Sequence, residues 1–509
     1  MIYLVEVTAA IDSAGTTTVL RFSSEAYNTG PSESPANTYY EPRVKTPADI
    51  TRNLFANGTT SGASRVGYGV VELANVDGGL DYMNAYGFDG RSLTIKVGNH
   101  GDAYSSFTTI LAGTMEQVEF SFQTVTILAR DKLAMLELPL QKTEFAGNNS
   151  LPNGVEGTTD IKGQKKPLLY GQVFNISPPI VNTSKLIYQV SDLLINDVSA
   201  VYDRGLGLTK GSDYTNMTDM TTNAPSSGYY RVLKTSTGSY FRLGVSASGQ
   251  ITCDAVQGST SADRTAAQLI KAIAIKGGVS SGDINASDVT ALDTANSSVV
   301  GIWVQGDDSA MTVIDQIAQS VGAWYGFDAA GQFRMGRFEA PSGATDIEIS
   351  DDNIVSIETI RPNDTDRGLP AYKVILSYLK NYSVQNSDIA GAVTADRRSF
   401  LEKERLSVST EDATVKSQFL YAAEITRDTL LTTSANASTE ASRLLTLYKT
   451  NRYMYQVRIA LDVTEHLPDL NDIAKVTLNR FGLDSGKLFR IIGISSNYAI
   501  NRATLTLWG

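Results

Sequence analysis

His100 and His466 are the only two histidines in this 509-residue chain, so acid–base chemistry near neutral pH has few residues to draw on. His100 sits in Gly98-Asn99-His100-Gly101-Asp102, a loop after a strand, and His466 lies between Glu465 and Leu467-Pro468, another loop. Neither has a second histidine or a cysteine nearby, so zinc sites of the usual spacing are absent, and a Ser-His-Asp triad would have to use one of these two. Both are read as turn or surface residues. The nucleophile-elbow pattern GxSxG does not occur, because Gly62-Ala63-Ser64-Arg65-Val66-Gly67 has the wrong spacing. Carboxylates cluster at Asp307-Asp308, Asp351-Asp352 and Asp77/Asp81/Asp89, where a glycosidase pair or a divalent ion could use them. Each cluster also has a structural role available. Asp307 and Asp308 precede a helix whose amides they could cap, Asp351-Asp352 sits in a turn, and the Asp77–Asp89 stretch lacks EF-hand ligand spacing. No phosphate-binding loop and no Rossmann fingerprint appears, and Gly67-Tyr68-Gly69 is a lone glycine pair in a strand. No catalytic, cofactor-binding or metal residue is assigned, no cofactor is expected, and the chain is read as no enzyme.

The elements that would carry these residues are mostly strands. Alternation runs through Val19–Phe22, Ser92–Val97 and Phe120–Leu128, with turn chemistry at Asp77-Gly78-Gly79 and Asp89-Gly90-Arg91. A short helix is predicted over Asp131–Leu136. The stretch from Ala146 to Pro167, rich in glycine, asparagine and proline, reads as a linker. Helices are expected in the third quarter and late in the chain. Asp263 is predicted to cap Arg264–Ala274, with Gly277-Gly278 ending that helix. Ala310–Val321 places Val313, Ile314, Ile317 and Val321 on one face. A hairpin follows, with strands Ala323–Asp328 and Gln332–Arg337 about the turn Ala329-Ala330-Gly331. A further helix, roughly Ala437 to Thr450, feeds a strand over Tyr453–Leu461. The fold class is mainly β with an α/β insert, in four units: 1–165, 166–262, 263–345 and 346–509.

Composition agrees with an ordinary globular chain, 42% hydrophobic and 19% charged, large enough for several cores. The net charge of −11 disfavours a nucleic-acid-binding surface. Cys253 is the only cysteine, which excludes an intramolecular disulfide and a Cys-x-x-Cys redox motif; it reads as a small apolar strand residue. No signal peptide and no apolar run of about 18 residues is present, so export through a signal peptide and membrane insertion are not expected. The 24 tyrosines fall mostly in alternating strands, where packing is their default role.

Four blocks carry a family resemblance. They are Ile50–Phe55 with Gly67–Asp81 and Phe88–Arg91; Gly163–Asn175, containing Pro167-Leu168-Leu169-Tyr170-Gly171; Ala310–Gly336, centred on Val321-Gly322-Ala323-Trp324-Tyr325-Gly326; and the closing strands Leu470–Leu483, Lys487–Ile494 and Thr504–Gly509. In this order they resemble the tail-tip (baseplate) hub proteins of siphophages and gene-transfer-agent particles. The resemblance implies two tube-like β-barrel or sandwich domains, 1–165 and 346–509, in a homotrimer whose pseudo-sixfold ring meets a tail-tube or distal tail protein. It implies a threefold central fibre or tip protein on the other side, a tape measure protein as a further candidate partner, and DNA only in transit through the lumen, which we expect acidic residues to line. The implied location is the tail tip of a virion assembled in a bacterial cytoplasm. Some gene-transfer-agent hubs carry a cysteine cluster for an iron–sulfur centre, which one cysteine cannot supply. A distal tail or receptor-binding protein holding cell-wall sugar is the alternative reading, and a tail-associated wall hydrolase a third. A chain that stops on a packed strand is expected to have its end inside an architecture.

Overall fold

The computed structural model describes all residues except 48, 56–59, 150–152, 361–368, 461–467 and 499, and the side chains of Arg65, Val66 and Tyr68. It is mainly β, with several sheets and short helices between them. Among the described residues, no helix is long and apolar enough to cross a membrane.

The first 130 residues build a nine-stranded sheet around Ile2–Ala10, which pairs with Thr17–Ser23 on one side and Ser92–Gly98 on the other. Alternation does what the pattern predicts: Val5 and Val7 of the first strand point to one face together with Leu93, Ile95 and Val97 of the third. The run Phe120–Leu128, predicted as one strand, is two. Thr108–Phe120 and Thr124–Arg130 form a hairpin that turns at Ser121-Phe122-Gln123, a turn without glycine, asparagine or proline to announce it.

The last third builds a second sheet from Ile347–Ile349, Ile354–Ile360, Met454–Ala460, Ile473–Leu478, Leu483–Asn497 and Arg502–Trp508. Its apolar side, with Val457, Ile459, Val476, Phe489, Leu505 and Leu507, joins the apolar side of the first sheet in one continuous core. The two sheets are therefore stacked, each covering a face the other would otherwise expose to water. They are also stitched together. Asp49–Asn53 leaves the first sheet and pairs antiparallel with the second half of Leu483–Asn497, from Gly493↔Asn53 to Asn497↔Asp49. Ile473–Leu478 occupies the same edge over the first half. Gly62–Ala63 then pairs in parallel with Ala323–Phe327 of the central hairpin.

Between the two terminal sheets lie three further units. Residues 168–256 form two five-stranded sheets, with Ile302 and Trp303 of a fifth-strand partner (Gly301–Val304) closing one of them. Two of these strands, Gly238–Leu243 and Ile251–Val256, bury every residue, as strands covered on both faces must, and Cys253 on the second is 0% exposed. Ile161, from the stretch predicted as linker, and Phe145 just before it pack into this unit with Val181, Ile187 and Leu233. A short helix, Met217–Thr222, interrupts the strands where none was predicted.

The central α/β unit holds Ala266–Lys276, Ala286–Ala295, Ala310–Val321 and the hairpin Ala323–Phe327/Phe333–Arg337. The first helix is capped by Thr265, whose Oγ1 accepts from Gln268 N. Asp263, predicted as that cap, instead closes the preceding 3-10 turn by accepting from Thr260 N at 2.8 Å. Its C-terminus falls at Gly277, as predicted. Val313, Ile314, Ile317 and Val321 are all fully buried on one face of the third helix, and Gly322 ends it in the left-handed conformation (φ 64°) that glycine alone adopts without strain.

The final unit was read as part of a closing β-domain, yet residues 371–448 form a separate α/β layer. A three-stranded sheet (Leu406–Glu411, Ala371–Tyr378, Ala423–Arg427) is covered by the helix Ser434–Tyr448, which begins three residues before its predicted start. Two shorter helices, Ala395–Leu401 and Ala413–Gln418, were not predicted. The whole layer is inserted between Ile354–Ile360 and Met454–Ala460, which pair with each other antiparallel.

Candidate functional site

The residues singled out for chemistry stay apart in space. His100 is exposed in the turn after Ser92–Gly98, and His466 lies outside the described residues. Asp77 is gripped by Arg43 through two bonds of 2.8 and 3.0 Å, which hold its carboxyl well below the usual range. Asp81 accepts from Asn75 Nδ2 at 2.9 Å, and Asp89 is 80% exposed, 3.7 Å from Arg130. Asp351 and Asp352 are exposed in the turn between two strands. Asp307 does not cap the helix behind it. It lies 3.4 Å from Lys165, while the cap is Ser309, whose Oγ accepts from Thr312 N at 3.1 Å. A hydroxyl one residue closer to the first turn reaches the amide better than either carboxylate. Among the described residues, no three His, Cys, Asp or Glu side chains come together to hold a metal ion. Burial pushes the Cys253 thiol well above its ordinary pKa, so it has little thiolate character.

The groups that do converge lie where three parts of the chain meet. Arg52, on the strand that crosses between the sheets, pairs with Asp469 of the C-terminal region and donates from Nη2 to the Phe327 carbonyl at 3.1 Å. Arg334 of the same hairpin holds Asp288 through bonds of 2.6 and 3.2 Å and lies 3.6 Å from Asp328. Close by in charge terms, burial pushes Asp131 up to about 6, against the opposing pull of the Leu133 N–H it caps and of Arg52. A second polar knot fixes the inserted layer. Arg443 forks onto Glu440, a carboxylate 2% exposed, with bonds of 2.9 and 2.6 Å, and donates to the Phe338 carbonyl at 3.0 Å. Arg490 donates to the neighbouring Glu339 carbonyl at 2.7 Å. These knots fix modules to one another; they present no reactive group to solvent. Sequence reading missed them because each knot ties together separate segments of the chain, Arg52 to Asp469 and Arg443 to the Phe338 carbonyl among them.

The surface offers contacts of a different kind. The hairpin Thr108–Phe120/Thr124–Arg130 carries Phe122 at its tip, 91% exposed, and Val76 is 72% exposed on the loop that Asn75 N ties to Gln123 O at 2.8 Å. Isolated apolar residues need no explanation, but these two lie on adjoining turns. At the C-terminal sheet, Tyr453 and Phe481 are each 48% exposed. Lys487 Nζ stands 4.7 Å over the Tyr453 ring and Arg480 stands 5.2 Å from that of Phe481. Among the described residues, Ile354–Ile360 has a strand neighbour on one side only, with Val355 52% exposed. Tyr3, Tyr40, Tyr230, Tyr325 and Tyr455 are buried on strands, whereas Tyr39, Tyr82, Tyr229 and Tyr421 are exposed.

No family model and no curated protein matches the chain. Solved structures do align with it along most of its length, and they are phage tail proteins and a gene-transfer-agent particle. The 43 kDa tail protein of prophage MuSo2 from Shewanella oneidensis aligns over 99% of this chain and 98% of its own, with 12% identity and a TM-score of 0.40. A tail protein from Neisseria meningitidis aligns over 100% and 96%, with 8% identity and a TM-score of 0.43. A chain in the virion of a native gene transfer agent aligns over 68% and 84%, with 14% identity and a TM-score of 0.42. At TM-scores below 0.5 these likenesses carry no functional weight, which rests on the chain's own sequence and geometry.

Proposed function

We propose that this chain is a structural component of a phage tail and, within the tail, the baseplate hub. It would join the sixfold tail tube or distal tail protein to a threefold central fibre or tip, and line part of the DNA-ejection channel. The observation that carries this reading is the stacking of the first and last sheets on one core, with the other modules strung between them. A subunit that holds two β-units in fixed relation can present two sites per copy. Three copies then offer six, which is how a trimer can meet a hexameric ring. Uncovered strand edges and the apolar hairpin tip supply surface for neighbouring subunits. The proposed location is the virion tail tip, with assembly in the host cytoplasm and a tape measure protein as a further partner. An acidic lumen would repel DNA in transit, in keeping with the net charge of −11.

Light scattering on the purified chain, followed by negative-stain microscopy, tests the proposal. A trimeric ring with a central hole supports it. A chain that stays monomeric alone and with purified distal tail protein overturns it. The alternative, a distal tail or receptor-binding protein that holds cell-wall sugar, is favoured by one feature, the exposed Tyr453 and Phe481 rings with their attendant cations. Glycan binding that is lost in Tyr453→Ala would favour it over the hub.

A further inference from the structure

At the three-way junction, two polar atoms are buried without a protein hydrogen-bond partner: Ser64 Oγ and Trp324 Nε1. Their residues are 4% and 7% exposed. An indole N–H can only donate, so leaving it unpaired in the interior carries its full desolvation cost. Both atoms face the same way. The parallel pairing Trp324↔Gly62 and Tyr325↔Ala63 brings Ser64 beside Gly326, and Ser64 N donates to Tyr325 O at 2.7 Å. Trp324 and Gly326, two apart on one strand, share a face. A Cβ on Gly326 would lie 1.8 Å from Ser64 Oγ, so glycine is what lets the hydroxyl sit there.

That face opens on a cavity of about 20 Å³, whose lining includes Arg52, Ser64, Trp324, Asp328, Arg334 and Asp469. A cavity of this size holds one water, for which roughly 10–15 Å³ suffices, provided that polar partners surround it. We propose that the cavity binds a single ordered water that accepts from Trp324 Nε1 and bonds Ser64 Oγ, bridging the 49–64 segment to the hairpin. The electrostatics choose the guest. Two guanidiniums meet three carboxylates, and each guanidinium is already engaged, Arg52 by Asp469 and Phe327 O, and Arg334 by Asp288 and Asp328. With no positive charge left over, an anion would lack compensation, whereas water can accept from the indole and donate to a carboxylate or to Ser64. The inference is independent of the role proposed above for the chain.

A crystal structure of the unmodified chain, fine enough to resolve waters, tests it directly. The expected result is one density peak within about 2.7–3.2 Å of both Ser64 Oγ and Trp324 Nε1. No peak, or a peak replaced by bromide in an anomalous map after soaking, overturns it. A double-mutant cycle supplies a second reading through Ser64→Ala, Trp324→Phe and the pair. If one water bridges both groups, the double variant loses little more melting temperature than the worse single variant. Strictly additive losses count against a shared water. Should a variant fail to fold, the density on the unmodified chain still decides.

Discussion

Tyr3 Oη donates to the carbonyl of Tyr498 across 2.8 Å of buried space, joining the first strand to the last hairpin over 495 positions of sequence. The two rings meet edge to face at 6.4 Å, and burial, with the neighbouring Tyr498 phenol adding to it, pushes the Tyr3 phenol up to about 12. This contact closes the shared core of the terminal sheets. Tyr3→Phe keeps the ring and removes the donor, so it should cost about 1 kcal/mol. Urea unfolding checks this, and an unchanged midpoint would show that the carbonyl finds another donor.

Because that core is shared, residues 1–165 alone should not fold: the apolar face of their sheet, Val5, Val7, Leu93 and Ile95 included, would lie open to water. Circular dichroism and dye binding on the isolated fragment provide the check. A cooperative unfolding transition in that fragment would contradict the shared core.

Asp131 gives a pH dependence whose sign is fixed. Its folded pKa, about 6, lies above the ordinary aspartate value of 3.8, so between those values the folded chain binds more protons than the unfolded one. Stability contributed by this group is present below about pH 4 and is lost as pH rises through 6. Asp131→Asn keeps an oxygen for the Leu133 N–H and removes the charge. It should raise stability at pH 7 by an amount on the order of 1 kcal/mol and leave it unchanged at pH 4. Thermal melts at the two pH values compare directly; an equal effect at both would rule out the carboxyl as the titrating group.

Glu440 and Arg443 should act as a buried pair. Glu440→Ala leaves a guanidinium that is 14% exposed with only the longer carboxylate contact, to Glu339 at 3.5 Å, and a loss of about 3 kcal/mol is expected. A loss near the ~0.5 kcal/mol of an exposed pair would mean that water reaches the site.

Phe122 should behave in the opposite way. At 91% exposure, Phe122→Ser should leave the stability of the subunit unchanged to within about 0.5 kcal/mol. In the assembly proposed here it should weaken subunit association, read as a shift toward smaller mass in sedimentation. A lower melting temperature with intact association would reverse the assignment of this tip from contact surface to folding core.

What the sequence settled by itself is whatever depends on neighbours a few residues away. Ala310–Val321 was legible because four apolar residues at helical spacing need only each other and one surface to face, and Gly322 marks its end. The hairpin around Gly331, the alternation of Ser92–Gly98 and the closing strands were legible for the same reason. Strand pairing across the chain was not. Nothing in Asp49–Asn53 distinguishes an edge beside its own sheet from one beside Leu483–Asn497, since period-two alternation suits either partner. The inserted layer at 371–448 was hidden likewise, because its flanking strands look continuous with a β-domain until their pairing is seen. The junction of Arg52, Ser64, Trp324 and Asp469 exists only once three distant segments are brought together. Its cost and its stability come from burial, and burial is decided by tertiary structure.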